Sequence, residues 1–389
     1  MRIQSIDVTR GIAILGILLM NIYYLGDINF GYVDFANSLL SDQIIYLING
    51  LFFDGRFRTL LSIVLGAGMA IQYVYCQKHQ INYQSFIKSR FNWLLMLGLI
   101  HCAFVFAGDI LFSYAICALV VRRKLELPLK TLLRLSKNYL IVGVIVGLVF
   151  GVISDVMLYD ESVNMYRESA AFQEYYTSWY GDYWLQFFTQ ASYLVFVLIL
   201  MPIVLYWQTA GLMLLGVFLY RTRFFTQGFK SGYLPKFLIA GLALSGSDLA
   251  VRYYFFQQAA SVSMELASTS AIFISLIYVH WIIKWVNASH SRLVNWLAAA
   301  GKLALTLYLA QSVIIGTLLR WVIPEFNLTA TRLDYLAIAL GCIVMQLMFA
   351  SLYFRWLKLG PVEALWRQAY RKPKASHENH QSELVSRQG

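Results

Sequence analysis

Apolar runs separated by short polar loops recur along the chain from residue 11 to residue 356. A helix needs about 20 mostly apolar residues to span the hydrocarbon core of a bilayer. On that scale the pattern predicts crossings at residues 11–28, 59–76, 92–108, 110–121, 139–158, 202–220, 237–256, 267–285, 297–321 and 335–356. The expected fold is all-α, a polytopic membrane helical bundle of about ten transmembrane helices. Residues 1–370 read as one transmembrane domain, and residues 371–389 as a polar cytoplasmic tail with the composition of a disordered segment. Two apolar stretches are too long for one crossing. Residues 44–76 are interrupted by DGRFR at 54–58, and residues 185–220 by Pro202. The extra pieces, 44–53 and 185–201, are expected as interfacial or re-entrant helices. Re-entrant backbone persists at membrane depth only where protein or a wet cavity covers it.

The loops carry charge in alternation. Residues 78–90 hold three basic residues and no acidic ones, residues 122–137 six basic and one acidic, residues 221–236 four basic, and residues 284–302 three basic. Between them, residues 23–45 hold three Asp and no Lys or Arg, and residues 155–186 hold six acidic residues and one base, Arg167. Basic loops stay in the cytoplasm, so both termini are expected there. The composition, 59% hydrophobic and 13% charged with a mean hydropathy of +0.60, suits a chain whose surface faces lipid. The net charge of +11 is spread over the short loops, so it reports topology and not a nucleic-acid face. The expected partner is therefore the lipid bilayer, with no nucleic acid. Cys76, Cys102, Cys117 and Cys342 stand singly in or at the ends of apolar runs and form no disulfide framework. The first run has polar groups of its own and no small-residue cleavage site after it, so it reads as a retained helix.

Polar groups inside the apolar runs carry the candidate chemistry. In IDVTRGIAILGILLMNIYYLG (6–26), Asp7, Arg10, Asn21 and Tyr24 share one stripe of the helix. A charge near the bilayer centre costs about 3 kcal/mol on insertion scales, so such groups face a protein interior or a wet cavity. Asn21 lies about 16 Å along the axis from Arg10, and His101 about 16 Å from Arg90, which puts Asn21 and His101 at one depth. His101 stands in GLIHCAFVFAGDILFSYA (98–115), where Asp109 is expected at the outer surface. Arg56 and Arg58 fall at the outer end of the second crossing, against the charge pattern. They are candidates to bind an anionic or polyhydroxylated group in an outer vestibule, with snorkelling as the alternative. Gln311, near Thr306 and Tyr308 in GKLALTLYLAQS, is a candidate to line the cavity. Asp248 and Arg252 are spaced for an i,i+4 pair, and His280 lies near the inner interface. The Tyr- and Trp-rich segment 159–184 suits an interfacial belt or stacking on sugar rings. GPVEALWR (360–367) reads as a short interfacial helix with Pro361 in its first turn. No metal site is expected, since His377 and His380 lack further ligands. There is no Walker loop, dinucleotide fingerprint, HExxH or nucleophile elbow.

The motifs DVTRGIAILGILLMNI, RFRTLLSIVLGAGMA, LGLIHCAFVFAGDILFSYAI, GKLALTLYLAQS and GPVEALWR, in this order, resemble the YeiB-like family of bacterial inner-membrane proteins. That resemblance implies a multi-pass protein of the bacterial cytoplasmic membrane. It implies no established substrate. The D-x-x-R-G entrance with an Asn ten residues after the Gly is more distantly similar to heparan-alpha-glucosaminide N-acetyltransferase and related transmembrane acyltransferases. Those enzymes take acyl groups from cytoplasmic coenzyme A thioesters and acylate acceptors, usually glycans, across the membrane. Asn21 matches their active-site Asn. Their histidine follows the first helix, and residues 23–43 here contain no His.

The expected reading is thus acyl transfer from acyl-coenzyme A to a small-molecule or glycan acceptor. In it His101 is the base, Asn21 polarises the thioester carbonyl, and Arg10 with Asp7 holds the cofactor at the inner mouth. Arg56, Arg58, Asp109 and Gln311 face substrate. The alternative is a transporter or permeation pathway for a small solute, for which the absence of a repeat is unfavourable.

Overall fold

In lipid every backbone N–H and C=O must find a partner within the protein, and a single segment achieves this only as a helix. The computed structural model describes residues 3–158, 165–200, 203–204, 206–230, 232–255, 260–289 and 291–371, and no strand occurs among them. The helices are α1 (Gln4–Gly26), α2 (Leu40–Ile48), α3 (Arg56–Lys78), α4 (Tyr83–Phe104), α5 (Leu111–Val121), α6 (Leu129–Leu158), α7 (Ala170–Gly181), α8 (Tyr183–Leu200), α9 (Tyr206–Arg221), α10 (Phe224–Gln227), α11 (Tyr233–Phe255), α12 (Ala260–Ala288), α13 (Arg292–Lys302), α14 (Ala304–Thr317), α15 (Phe326–Thr329), α16 (Arg332–Trp356) and α17 (Pro361–Arg371). Two π-helical turns, Asn49–Phe53 and Leu318–Val322, follow α2 and α14.

The all-α polytopic bundle is the one the apolar runs predict, but the set of crossings differs. Among the described residues eight helical stretches are long and apolar enough to span a membrane: Gln4–Gly26, Leu40–Lys78, Leu129–Met157, Tyr183–Leu200, Tyr233–Tyr254, Ser261–Ala288, Ala304–Val322 and Arg332–Trp356. Three expected crossings fall outside this set. α5 has 11 residues, about 16 Å of helix and half a bilayer core. α9 has 16 residues. α4 has 22, but its first half is polar, with Gln84, Lys88, Arg90 and Asn92. In exchange α8, expected as an interfacial or re-entrant piece, is an 18-residue apolar helix that qualifies. The expected single crossing at 297–321 is broken at Leu303, where α13 stops and α14 starts. The break at DGRFR is where the sequence places it, because Gly55 takes φ +75° and turns the chain into α3. Pro202, residues 159–164 and the tail 372–389 lie outside the described residues.

α1 is the axis of the bundle. It is buried along most of its length and packs on α3, α12, α13, α14 and α16. Its closest approach is to α13: a Cβ on Gly301 would collide with the Asp7 carbonyl, and one on Gly11 with the Leu297 carbonyl. Small residues are what allow membrane helices to approach this far. The main core includes Ile14, Leu60, Met69, Phe91, Met213, Ile283 and Tyr308. A second cluster joins Leu18, Ile22 and Leu25 of α1 to Phe106, Ile315, Leu319 and Tyr335. The Gly26 end of α1, outer by the charge pattern, is covered by α7 and the loop beneath it. Arg167 is 3% exposed and donates to the carbonyls of Val33 and Ala330, both at 2.7 Å. Burial holds the Asp27 carboxyl above its ordinary range, although the Tyr175 hydroxyl (2.8 Å) and the Asn29 amide (2.9 Å) donate to it.

Candidate active site

The chain leaves α4 through a fold-back that brings two of the candidate residues together. The amides of Val105 and Phe106 both donate to the His101 carbonyl at 2.9 Å, which ends the helix one turn after the histidine. Residues 105–110 then reverse direction, and α5 returns along α4. Gly98 lets the two helices close up, since a Cβ there would press on the backbone of Phe112. Asp109 stands one residue before the N-cap of α5, Ile110, and its Oδ2 accepts from the Phe112 amide in the first turn at 2.9 Å. Its Oδ1 lies 2.9 Å from Nδ1 of His101 and accepts from the Tyr308 hydroxyl of α14 at 3.1 Å. Tyr308 in turn accepts from the Ile110 amide at 3.3 Å, and its ring centroid is 5.4 Å from that of His101.

Asp109 is therefore not at the outer surface, as the run of residues suggested. The fold-back buries it at 6% exposure, against His101 at 3%. A neutral His101 that donates to this carboxyl carries its proton on Nδ1. Nε2 then carries a lone pair. It is buried and has no hydrogen-bond partner among the described residues. Beside the same hairpin tip, a cleft of about 180 Å³ is lined by Phe104, Val105, Tyr183, Gln186, Gln190 and Arg320, among others. Arg320 donates to the Val105 carbonyl at 2.8 Å.

The entrance of α1 is built as the i,i+3 spacing suggests. Arg10 lies 3.3 Å from Asp7 and donates to the Gly301 carbonyl at 3.4 Å. Close by, α17 docks its Glu363 onto the free end of α14. Oε1 accepts from the amides of Leu305 (2.9 Å) and Thr306 (3.1 Å), and Oε2 from the Thr306 hydroxyl (2.5 Å). α17 is held further by Trp366, which donates to the Arg90 carbonyl at 3.0 Å and lies under the Arg90 guanidinium at 4.2 Å.

Other candidates are placed differently from expectation. Asn21 is half-buried on α1, with no hydrogen bond among the described residues, and none joins it to His101. Gln311 is buried one turn beyond Tyr308, and its Oε1 has no partner among the described residues. Arg56 does not face a vestibule. It is fully buried, donating to the Asp54 carbonyl, to Ser245 at 2.8 Å and to Ser270 at 3.2 Å. The Gly55 turn sends it inward under α11 and α12. Arg58 is half-buried and donates to Gln208 at 3.3 Å. The sequence reading missed Tyr308 as a partner of Asp109, Glu363 as a cap in trans, and Arg332. The first two have no local signal, because each pair is far apart in the chain.

The family described as "Protein of unknown function (DUF418)" matches residues 219–372. Over 378 aligned positions the chain is 27% identical to the uncharacterized protein YeiB of Escherichia coli K12, covering 94% of this chain and 95% of that one. Over 399 positions it is 25% identical to the uncharacterized protein YxaH of Bacillus subtilis 168, covering 95% and 94%. It is also 24% identical, over 371 positions and 94% and 93% of the two chains, to an uncharacterized 39.9 kDa protein encoded in the amylase 3′ region of Bacillus acidopullulyticus. No solved structure matches the chain. The DUF418 match, with likeness to YeiB and YxaH over nearly the full length of each chain, supports a YeiB-like family.

Proposed function

We propose that this YeiB-like membrane protein transfers an acyl group from a cytoplasmic acyl-coenzyme A to a hydroxyl or amine of an acceptor at the outer side. The observation that supports this reading is the buried pair of His101 and Asp109, with Nε2 of the histidine buried and without a hydrogen-bond partner among the described residues. A carboxylate that fixes the Nδ1–H tautomer turns the opposite nitrogen into a directed proton acceptor. Tyr308 donates to the same carboxylate oxygen and keeps it aligned. In the proposed step His101 takes the acceptor proton at Nε2. The acceptor oxygen or nitrogen bonds to the acyl carbon, the carbon–sulfur bond breaks, and the proton leaves with the thiol. When bound, the thioester supplies the electrophilic carbonyl. Arg10 suits a phosphate contact at the inner mouth, and Asn21, a half-buried amide on the same helix, is a donor for the carbonyl oxygen.

Thermal stabilisation of the purified protein tests donor binding. Acetyl-coenzyme A is expected to raise the unfolding midpoint, free acetate is not, and Arg10→Ala should weaken the effect. The absence of any shift with acetyl-coenzyme A at saturating concentration contradicts the proposal.

A specific feature also supports the transport alternative. The α13–α14 chain is broken at Leu303, and a carboxylate from another helix caps the new end. Discontinuous helices of this kind build solute sites in transporters. That reading expects solute flux in vesicles without an acyl donor.

A further inference from the structure

The outer side holds a cluster of rings and charges that the acyl-transfer chemistry does not use. Tyr46 of α2 lies between two guanidiniums, with Arg332 of α16 at 5.2 Å from its ring centroid and Arg252 of α11 at 5.6 Å. Arg252 bonds to Asp248 at 2.8 Å, pairs with Asp54 at 3.6 Å and reaches the Tyr46 hydroxyl at 3.4 Å. Arg332 pairs with Asp34 at 3.2 Å and covers the Tyr32 ring at 4.0 Å. Tyr24, at the outer end of α1, lays its ring against Gly31, in the loop that carries Tyr32 and Asp34. Five separate stretches of chain thus converge, and the π-helical turn after α2 lies among them. Such turns frequently mark functional sites.

The cluster is reachable and incompletely satisfied. Tyr24 is 48% exposed, and the side chains of Asp54 and Asp34 are 31% and 44% exposed. Behind them, Oδ2 of Asp248 and Nε of Arg332 are buried without a hydrogen-bond partner among the described residues.

The charges decide what fits. Each guanidinium already faces a carboxylate, so a small ion of either sign must compete with a partner in place. Hydroxyl groups need no such exchange. A carboxylate accepts from them, a guanidinium donates to them in a planar fork, and a phenol does both. Tyrosine rings add amphipathic stacking surface.

We infer that Tyr24, Tyr46, Asp54 and Arg252, backed by Arg332, form an outer-face binding site for a neutral polyhydroxylated solute, a sugar or cyclitol. The site stands apart from His101 and holds whether or not the protein transfers acyl groups. Its test uses the full chain in lipid nanodiscs with no acyl donor present. Glucose, galactose, N-acetylglucosamine and myo-inositol are titrated by calorimetry and saturation-transfer NMR, with choline and succinate as charged controls. At least one of the polyols is expected to bind saturably. Asp54→Asn and Tyr24→Ala should each weaken that binding about tenfold or more, the loss of roughly one good contact. Tyr24 is half exposed and makes no hydrogen bond among the described residues, so its variant keeps the test valid if Asp54→Asn folds poorly. Failure of all four polyols to bind, tighter binding of a charged control, or full binding by both variants overturns the inference.

Discussion

At the scale of single residues, the account rests on where a few protons sit. If Asp109 fixes the tautomer of His101, Asp109→Asn should cost about as much acyl transfer as His101→Ala, about 10²–10⁴ in rate. Release of free thiol from acetyl-coenzyme A in the presence of acceptor measures it. Nearly full activity in Asp109→Asn would remove the dyad from the mechanism. Just past the end of α1, Asp27 makes a second prediction. Burial raises its carboxyl above the ordinary 3.8, so the folded state binds this proton more tightly than the unfolded one. Stability then falls as pH rises through the window from 3.8 to the raised value, and recovers as pH falls. Asp27→Asn should flatten that dependence in denaturation curves taken across pH. His101 was legible in the sequence as a group that must be buried in protein, because a polar group in an apolar run is expensive. Its partners were not. The pairing of His101 with Asp109 depends on a reversal at 105–110 that no periodicity announces. Arg56 was misplaced for a similar reason: a turn at Gly55 decides whether a guanidinium faces solvent or a bed of serines.

At the scale of elements, two contacts make predictions of opposite kinds. Gly301 has no room for a side chain against α1, whereas Gly246 on α11 would meet nothing within 4 Å. Gly301→Leu should therefore destabilise the protein by about 3 kcal/mol or more, through forced separation of α1 and α13. Gly246→Ala should be neutral or stabilising by about 0.5–1 kcal/mol. Unfolding in mixed micelles ranks them, and equal behaviour of the two would contradict the packing described. Glu363 supplies the other contact. Glu363→Ala should cost about 1.5–3 kcal/mol, the range for hydrogen bonds to a charged group, and should raise hydrogen exchange first in the amides of Leu305 and Thr306. Helix existence was legible from the apolar runs. Breaks were less so: residues 297–321 read as one crossing, because Leu303 is as apolar as its neighbours and the cap that stabilises the break comes from α17.

At the scale of the whole molecule, the charge alternation predicts a topology with both ends in the cytoplasm. A cysteine placed at Lys130, before α6, should be labelled only from the cytoplasmic side, and labelling from outside would reverse the bundle. The architecture was largely readable because lipid allows few alternatives. The number of crossings was less so, since α5 and α9 are apolar enough but short, and burial among neighbours rather than contact with lipid accounts for their composition. The central claim is that acyl chemistry is carried through this bundle by His101. Vesicles of controlled orientation, given labelled acetyl-coenzyme A on the cytoplasmic face and a mixed pool of bacterial-envelope glycans on the other, test it most directly. Label is expected on the enclosed glycans with the native chain, and at least about 10²-fold less with His101→Ala folded to the same level. Undiminished labelling by His101→Ala, or solute flux with no labelling by the native chain, would contradict the account.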